Sequence, residues 1–184
     1  IKKIIKISLS SFLILDYLKF KKFHDKRFSL KLTDFYPQLK DKTIKTGFDR
    51  HYVYHTSWAA RKVKEINPGF HTDISSSLYF AGIVSAFVPV KFYDYRPARL
   101  KLSGVESGVC DLTKLSFADN SVKSLSCMHT VEHIGLGRYG DAINPDSDIQ
   151  ACKELSRVLA VDGHFIFAVP VGKPKIEFNA HRIY

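Results

Sequence analysis

Phe70-His71-Thr72-Asp73-Ile74-Ser75-Ser76-Ser77, Val90-Lys91-Phe92-Tyr93-Asp94-Tyr95 and Gly108-Val109-Cys110-Asp111-Leu112 are three short apolar runs that each deliver an aspartate. Runs of this length, bounded by turn residues, read as buried strands. Parallel strands of α/β proteins present ligand-facing side chains at their carboxyl ends. Carboxylates so placed accept hydrogen bonds from ribose hydroxyls or an exocyclic amine. A nucleoside-containing cofactor is therefore the first expectation.

Working outward, strand and helix signals alternate. Thr56 or Ser57 is expected to cap a helix through Ile66, which Asn67-Pro68-Gly69 stops. Strands are expected at about 70–74, 90–95 and 106–110, with a helix over Leu78–Phe87 between the first two. Val122–His129 reads as a fourth strand. Residues 134–147 hold Gly135, Gly137, Gly140, Asn144 and Pro145 and read as a loop. Ile149, Cys152, Leu155, Val158 and Leu159 share one face of the next helix. Asp162-Gly163 then turns into an apolar strand, His164–Val171. The alternation predicts a mostly parallel sheet between helical layers, a Rossmann-like three-layer α/β sandwich.

Charge divides the chain unevenly. Residues 1–50 carry 13 Lys/Arg against 5 acidic residues, and residues 51–184 carry 15 against 13. A basic N-terminal helical arm or cap over residues 1–50 is expected ahead of a nearly neutral body at 51–184. Such an arm fits a solvated helix, or contact with anionic lipid through residues 1–22. Nucleic acid is not expected, because no aromatic-interleaved binding module is present. Asp16 cuts the apolar run Ser11–Leu15 far short of the ~20 residues a spanning helix needs. Three separated cysteines without a C-x-x-C pair suit a reducing, cytoplasmic setting, with peripheral membrane contact through the arm as the variant.

At Asp73 the strand ends in serines that open a helix. Its amides and Ser75, Ser76 and Ser77 can receive a polar group, or the serines serve only as caps. Asp94 follows Asp73 by 21 positions, near the ~20-residue offset of a ribose-binding acid; the alternative is a strand-end turn before Arg96-Pro97. Asp111 suits a base amine, with Leu112 against the ring. Two louder matches fail on context. Gly135-Leu136-Gly137-Arg138-Tyr139-Gly140 satisfies G-x-G-x-x-G, yet Asp141-Ala142-Ile143-Asn144-Pro145 cannot continue as the helix that motif must open. His129-Thr130-Val131-Glu132-His133 satisfies H-x-x-E-H, but His129 ends a strand and no third ligand presents itself. No metal site is expected. His129 and His133 read instead as pocket-lining groups, either general bases or hydrogen-bonded structural histidines. Tyr52, Tyr54 and His55 are either a lid or simple packing of their helix.

The order of the three aspartates resembles the class I S-adenosylmethionine-dependent methyltransferases. Asp111-Leu112-Thr113-Lys114-Leu115-Ser116-Phe117-Ala118-Asp119-Asn120-Ser121 is similar to that family's "D-x-x-x-L-P-F-x-D-x-S" segment. Ser126–His133 resembles its fourth-strand end, and Glu154-Leu155-Ser156-Arg157-Val158-Leu159 with Asp162-Gly163 resembles "E-x-x-R-V-L-K-P-G-G". At closer range His51–His55, Cys127–Gly140 and Val169–Lys175 resemble an uncharacterised bacterial methyltransferase-like family, a domain of unknown function. The resemblance implies S-adenosylmethionine as cofactor. Asp73 and Ser75–Ser77 would then face its amino-acid end, Asp94 its ribose and Asp111 its adenine, with His129 or His133 as base. It implies a small-molecule or saccharide acceptor. A degenerate, non-catalytic binding module and a basic-arm docking protein are the rival expectations.

Two departures stand out. The family's first loop is glycine-rich, whereas serine at Ser75–Ser77 disfavours positive φ, so a different loop path or weaker binding is expected. The family's sheet has seven strands, so a chain stopping at Tyr184 is expected to be incomplete after the fifth.

Overall fold

The computed structural model describes residues 2–24, 27–38 and 40–184, with side chains from Phe12 onward. The chain divides into two compact units, Ile1–Phe48 and Asp49–Tyr184. The first contains helix α1 (Lys2–Phe23) and a 3-10 turn at Leu32–Asp34. Tyr17 meets Phe35 edge-on at 5.8 Å, while Phe12, Ile14, Leu15 and Leu18 are exposed. The side chains of Lys2, Lys3 and Lys6 lie outside the described residues. Among the described residues, no helix is long and apolar enough to cross a membrane.

The second unit is a Rossmann-like α/β sandwich. Strands β1 (His71–Ile74), β2 (Val90–Asp94), β3 (Val105–Val109), β4 (Val122–Met128) and β5 (Leu159–Ala168) form one sheet in the order β3-β2-β1-β4-β5. Every pairing in it is parallel. β1 is central and buried at all four positions, which is why its sequence lacks a polar face.

Helices α2 (Arg50–Ile66) and α3 (Leu78–Val84) cover one face. Ala59, Val63, Phe80 and Val84 pack there with Val90, Phe92, Met128 and Ile166. Helix α4 (Ser147–Val158) covers the other, where Ala151, Leu155 and Val158 meet Ile74, Leu125 and Cys127. Adjacent β4 residues Cys127 and Met128 thus serve opposite layers, as the strand period of two requires. Fully burying a side chain such as Val63, Phe80 or Leu155 contributes on the order of 1.5–3 kcal/mol.

The turn after β3 is pinned to α4 by one arginine. Arg157 donates to the carbonyls of Phe117 (2.9 Å) and Leu115 (2.9 Å) and pairs with Asp119 and Glu154. Glu154 in turn accepts from Leu115 N at 2.7 Å. The paired segments Asp111–Ser121 and Glu154–Leu159 are therefore one hydrogen-bonded assembly.

Four elements differ from the sequence reading. On α4 the buried face runs through Ala151, Leu155 and Val158, while Ile149 and Cys152, read as part of it, are exposed. α2 begins at Arg50, six residues before Thr56, because Asp49 caps it by accepting from Tyr52 N at 2.9 Å. Thr56 instead sits inside the helix and returns its hydroxyl to the Tyr52 carbonyl. β5 begins at Leu159, and Asp162-Gly163 is a bulge within it: Val122 pairs with Leu159 but Ser124 with His164, with Asp162 at φ 60°. Finally, β6 (Lys175–Glu177) and β7 (His181–Ile183) form an antiparallel hairpin separate from the main sheet.

Candidate functional site at the carboxyl ends of the strands

The chain runs from β1 outward to β2 and β3, then crosses back to β4 on the other side of β1. This reversal leaves a crevice beyond the carboxyl ends of β1 and β4, the usual ligand position in open α/β sheets. A cavity of about 260 Å³ lies there, and Ser75, Asp94, Asp111, Leu112, His129 and His133 all line it. Six of the nine site residues read from the sequence therefore share one space.

Asp94 accepts from Arg96 N at 2.8 Å with Oδ1. Asp111 accepts with its Oδ1 from Thr113 N and Thr113 Oγ1, at 2.8 and 2.7 Å. Both aspartates thus make strand-end turns, and in each the Oδ2 has no protein hydrogen-bond partner among the described residues. Turn formation and ligand contact are compatible, since each uses a different oxygen. Cys110, between them in the lining, is pushed up to about 12 by burial and then by the neighbouring carboxylates. It stays a thiol and supplies no nucleophile.

Asp73, Ser76 and Ser77 do not line the cavity. Asp73 is wholly buried between β2 and β4, where its Oδ1 accepts from Ser126 Oγ and its Oδ2 has no partner. Burial raises its pKa to about 7, against the lowering influence of the Ser126 hydrogen bond. Ser76 Oγ accepts from Met128 N at 3.0 Å and locks β1 to β4. Ser77 Oγ accepts from Tyr79 N and caps α3, a helix of only seven residues. These three residues, expected at the cofactor's amino-acid end, are occupied in building the floor.

Ser75 takes the conformation that glycine would. Its φ is 56°, and its carbonyl accepts from Thr130 Oγ1 at 2.9 Å while its own N–H donates to the Tyr93 carbonyl at 2.8 Å. Bonds on both sides offset the cost, about 1–2 kcal/mol, of a left-handed L-residue. The first loop keeps positive φ without glycine, contrary to the expected detour.

The loop 134–146 closes the cavity's far side. Gly135, Gly137 and Gly140 all have positive φ, and Asp141 fills the concavity they create. Its carboxylate accepts from Gly135 N (2.6 Å), Gly137 N (3.3 Å) and Tyr139 N (3.0 Å). Burial opposes its ionisation, but these backbone bonds win and hold its pKa below the ordinary value. The G-x-G-x-x-G run is an anion nest whose anion is the chain's own next residue. A Cβ on Gly135 would lie 2.2 Å from the Asn144 carbonyl, which is why that position is glycine. Tyr139 reaches back to the turn after β2, where the Arg96 guanidinium lies 4.4 Å from its ring centroid. Arg96, Thr130, Tyr139 and Asp141 are lining residues that sequence reading missed. Asp141, one residue beyond the glycine motif, carried the available signal.

The two histidines flank a buried carboxylate. Glu132, 1% exposed, places Oε1 at 3.1 Å from His129 Nδ1 and 3.7 Å from His133 Nε2. His133 Nδ1 donates to the Ala180 carbonyl at 2.6 Å. Burial lowers the His133 pKa, outweighing the raising influence of Ala180 and Glu132. His129, just past β4 at φ 57°, faces His51 of α2, with their Nε2 atoms 2.6 Å apart.

A family model described as "Caenorhabditis protein of unknown function, DUF268" matches residues 111–184. Its description names Caenorhabditis and gives no support to the bacterial origin expected above. A search of the curated proteins finds no match. Among solved structures, the YcgJ protein of Bacillus subtilis is 18% identical, with a TM-score of 0.46 over 62% of this chain and 50% of its own. A chain of the complex between the Haloferax volcanii Trm112 methyltransferase activator and a candidate methyltransferase is 15% identical, with a TM-score of 0.43 over 70% and 64%. This chain thus spans half of the first neighbour and under two thirds of the second. The Rossmann-like assignment stands on the strand order, β3-β2-β1-β4-β5.

Proposed function

We propose that the crevice binds S-adenosylmethionine and that the protein is a methyltransferase for a small-molecule or saccharide acceptor. One observation carries this reading: Asp94 and Asp111, at the ends of adjacent strands, line one cavity with an unpartnered oxygen each. Those oxygens suit ribose hydroxyls and an adenine amine, and Leu112 supplies an apolar wall. When bound, S-adenosylmethionine supplies an electrophilic methyl group.

The protein's part is positioning and proton removal. His133 is the better base of the two histidines, because both ring nitrogens of His129 are already engaged. His133 keeps Nδ1–H on the Ala180 carbonyl, which leaves Nε2 to take a proton from the acceptor. Glu132, 3.7 Å away, then stabilises the imidazolium. A non-catalytic binding module is the second reading, favoured by the sealing of Asp73, Ser76 and Ser77 into the floor.

Calorimetric titration with S-adenosylmethionine and S-adenosylhomocysteine tests the cofactor. Binding is expected, with Asp94→Ala weakening it about tenfold or more, since a hydrogen bond to a charged group contributes about 1.5–3 kcal/mol. No binding by the folded chain would sink both readings. Binding that survives without methyl transfer to any hydroxyl or amine acceptor would favour the second.

A further inference from the structure

His51, His55 and His129 bring one ring nitrogen each to within 4.8 Å of the other two. His51 and His55 are four apart on the first turns of α2 and therefore share a helix face. Their ring centroids are 4.5 Å apart, and those of His129 lie 4.4 and 5.1 Å away.

The outer bonds of the cluster already fix which nitrogens face inward. His55 Nδ1 contacts the His51 carbonyl at 2.7 Å, so it carries the proton and Nε2 is left as the donor atom. His129 Nδ1 is held by the Glu132 carboxylate at 3.1 Å, again leaving Nε2. A carboxylate or carbonyl behind the distal nitrogen is the arrangement that orients metal-ligating histidines and raises their basicity. The Nε2 atoms of His51 and His129, 2.6 Å apart, can face each other only by sharing a proton. A cation can replace that proton. Zinc held at about 2.0–2.1 Å by tetrahedral nitrogens needs them roughly 3.3 Å apart, a separation between the 2.6 Å of the His51–His129 pair and the 4.8 Å that bounds the whole cluster.

We propose that His51, His55 and His129 form a three-histidine site for a divalent zinc-class ion. Three neutral imidazoles leave the fourth tetrahedral position open, the pattern of reactive rather than purely structural sites. His51 is exposed, which gives the ion an entry path. His129 also lines the main cavity, so the ion sits at its rim. The site does not depend on the methyltransferase reading. The H-x-x-E-H run contributes one ligand, His129, and Glu132 behind it; the other two ligands come from α2.

The test is calorimetric titration of chelator-treated full-length chain with Zn²⁺, together with the visible spectrum of the Co²⁺-loaded protein. One ion per chain is expected, with a tetrahedral Co²⁺ spectrum. His51→Ala and His55→Ala should each weaken Zn²⁺ by more than the about 10–100-fold cost of losing an outer partner, and the Co²⁺ spectrum should collapse. His164→Ala should change neither. His51 is exposed, so His51→Ala is expected to keep the wild-type circular dichroism. Absence of saturable Zn²⁺ binding, or binding unchanged in a folded His51→Ala/His55→Ala double variant, overturns the site.

Discussion

Arg182→Ala is expected to destabilise the body by about 3–5 kcal/mol, the cost of removing one partner from a buried charged network. Arg182, 5% exposed on β7, donates to the Ile134 carbonyl at 2.7 Å and the Pro145 carbonyl at 3.2 Å. It therefore ties both ends of the loop that closes the cavity. Its Nε lies 3.6 Å from the buried carboxylate of Asp148, which also accepts from Tyr184 Oη at 3.0 Å. Truncation leaves two carbonyls and one carboxylate without their cation. Lysine cannot rescue the loss, because one ammonium does not span two carbonyls and a carboxylate as a guanidinium fork does. Urea unfolding should show Arg182→Ala and Arg182→Lys both far below wild type. Hydrogen exchange should find the amides of Gly135, Gly137 and Tyr139 unprotected first, since their acceptor Asp141 rides on the same loop. A variant with the wild-type midpoint and unchanged protection would show that the hairpin does not hold the loop.

The central architecture was legible because its signals are local. Three strands could be read from runs of four to six residues, although only β1 is buried throughout and the edge strand β3 has no buried position. The parallel sheet follows from helices α3 and α4, between β1 and β2 and between β4 and β5, while no helix separates β2, β3 and β4. The aspartates could be placed at strand ends because the strand boundaries were nearly right. Failures cluster where a local signal was ambiguous. His51-Tyr52-Val53-Tyr54-His55 is aromatic and β-branched, with little helix propensity, so the sequence alone puts the helix start at Thr56 or Ser57. The tertiary packing of Ala59, Ala60 and Val63 overrides that preference, and Asp49 was the unread cap. Asp162-Gly163 carries turn chemistry, yet a bulge uses the same chemistry without ending the strand. The hairpin Lys175–Ile183 is too short for a period to declare itself.

The site was legible by halves. Asp94, Asp111, Leu112 and Ser75 follow from chain position alone. What Asp73 and Ser76 do depends on Ser126 and Met128, some fifty residues away, whereas Ser77 is the local helix cap that the sequence allowed. The histidine cluster joins positions 78 residues apart in sequence. No spacing rule reaches across that distance, and the motif that drew attention, H-x-x-E-H, held only one of the three.

Single substitutions at His71 and Asp73 are expected to tilt the pH dependence of stability in opposite directions. His71 is fully buried, with Nδ1 2.8 Å from Ser124 Oγ and Nε2 2.9 Å from Ser126 Oγ. Ser126 donates onward to Asp73, so the two titratable groups share one serine. Burial lowers the His71 pKa to about 4 from 6.5, and raises that of Asp73 to about 7 from 3.8. For His71 the folded value is depressed, so its contribution is fully present above 6.5 and is lost as pH falls towards 4. For Asp73 the folded value is raised, so its contribution is present below 3.8 and is lost as pH rises through 7. Between about pH 4 and 6.5 the folded state carries its proton on Asp73 and the unfolded state carries one on His71. The proton counts match, so this pair leaves wild-type stability nearly flat across that window. Asp73→Asn removes one side of the balance, and stability should then rise with pH by on the order of 3 kcal/mol from pH 4 to 6.5. His71→Gln removes the other, and stability should fall with pH over nearly the same range and by a similar amount. Urea unfolding of the three proteins at half-unit pH steps reads the slopes directly. Parallel profiles for both variants would mean that neither buried group titrates as its surroundings require.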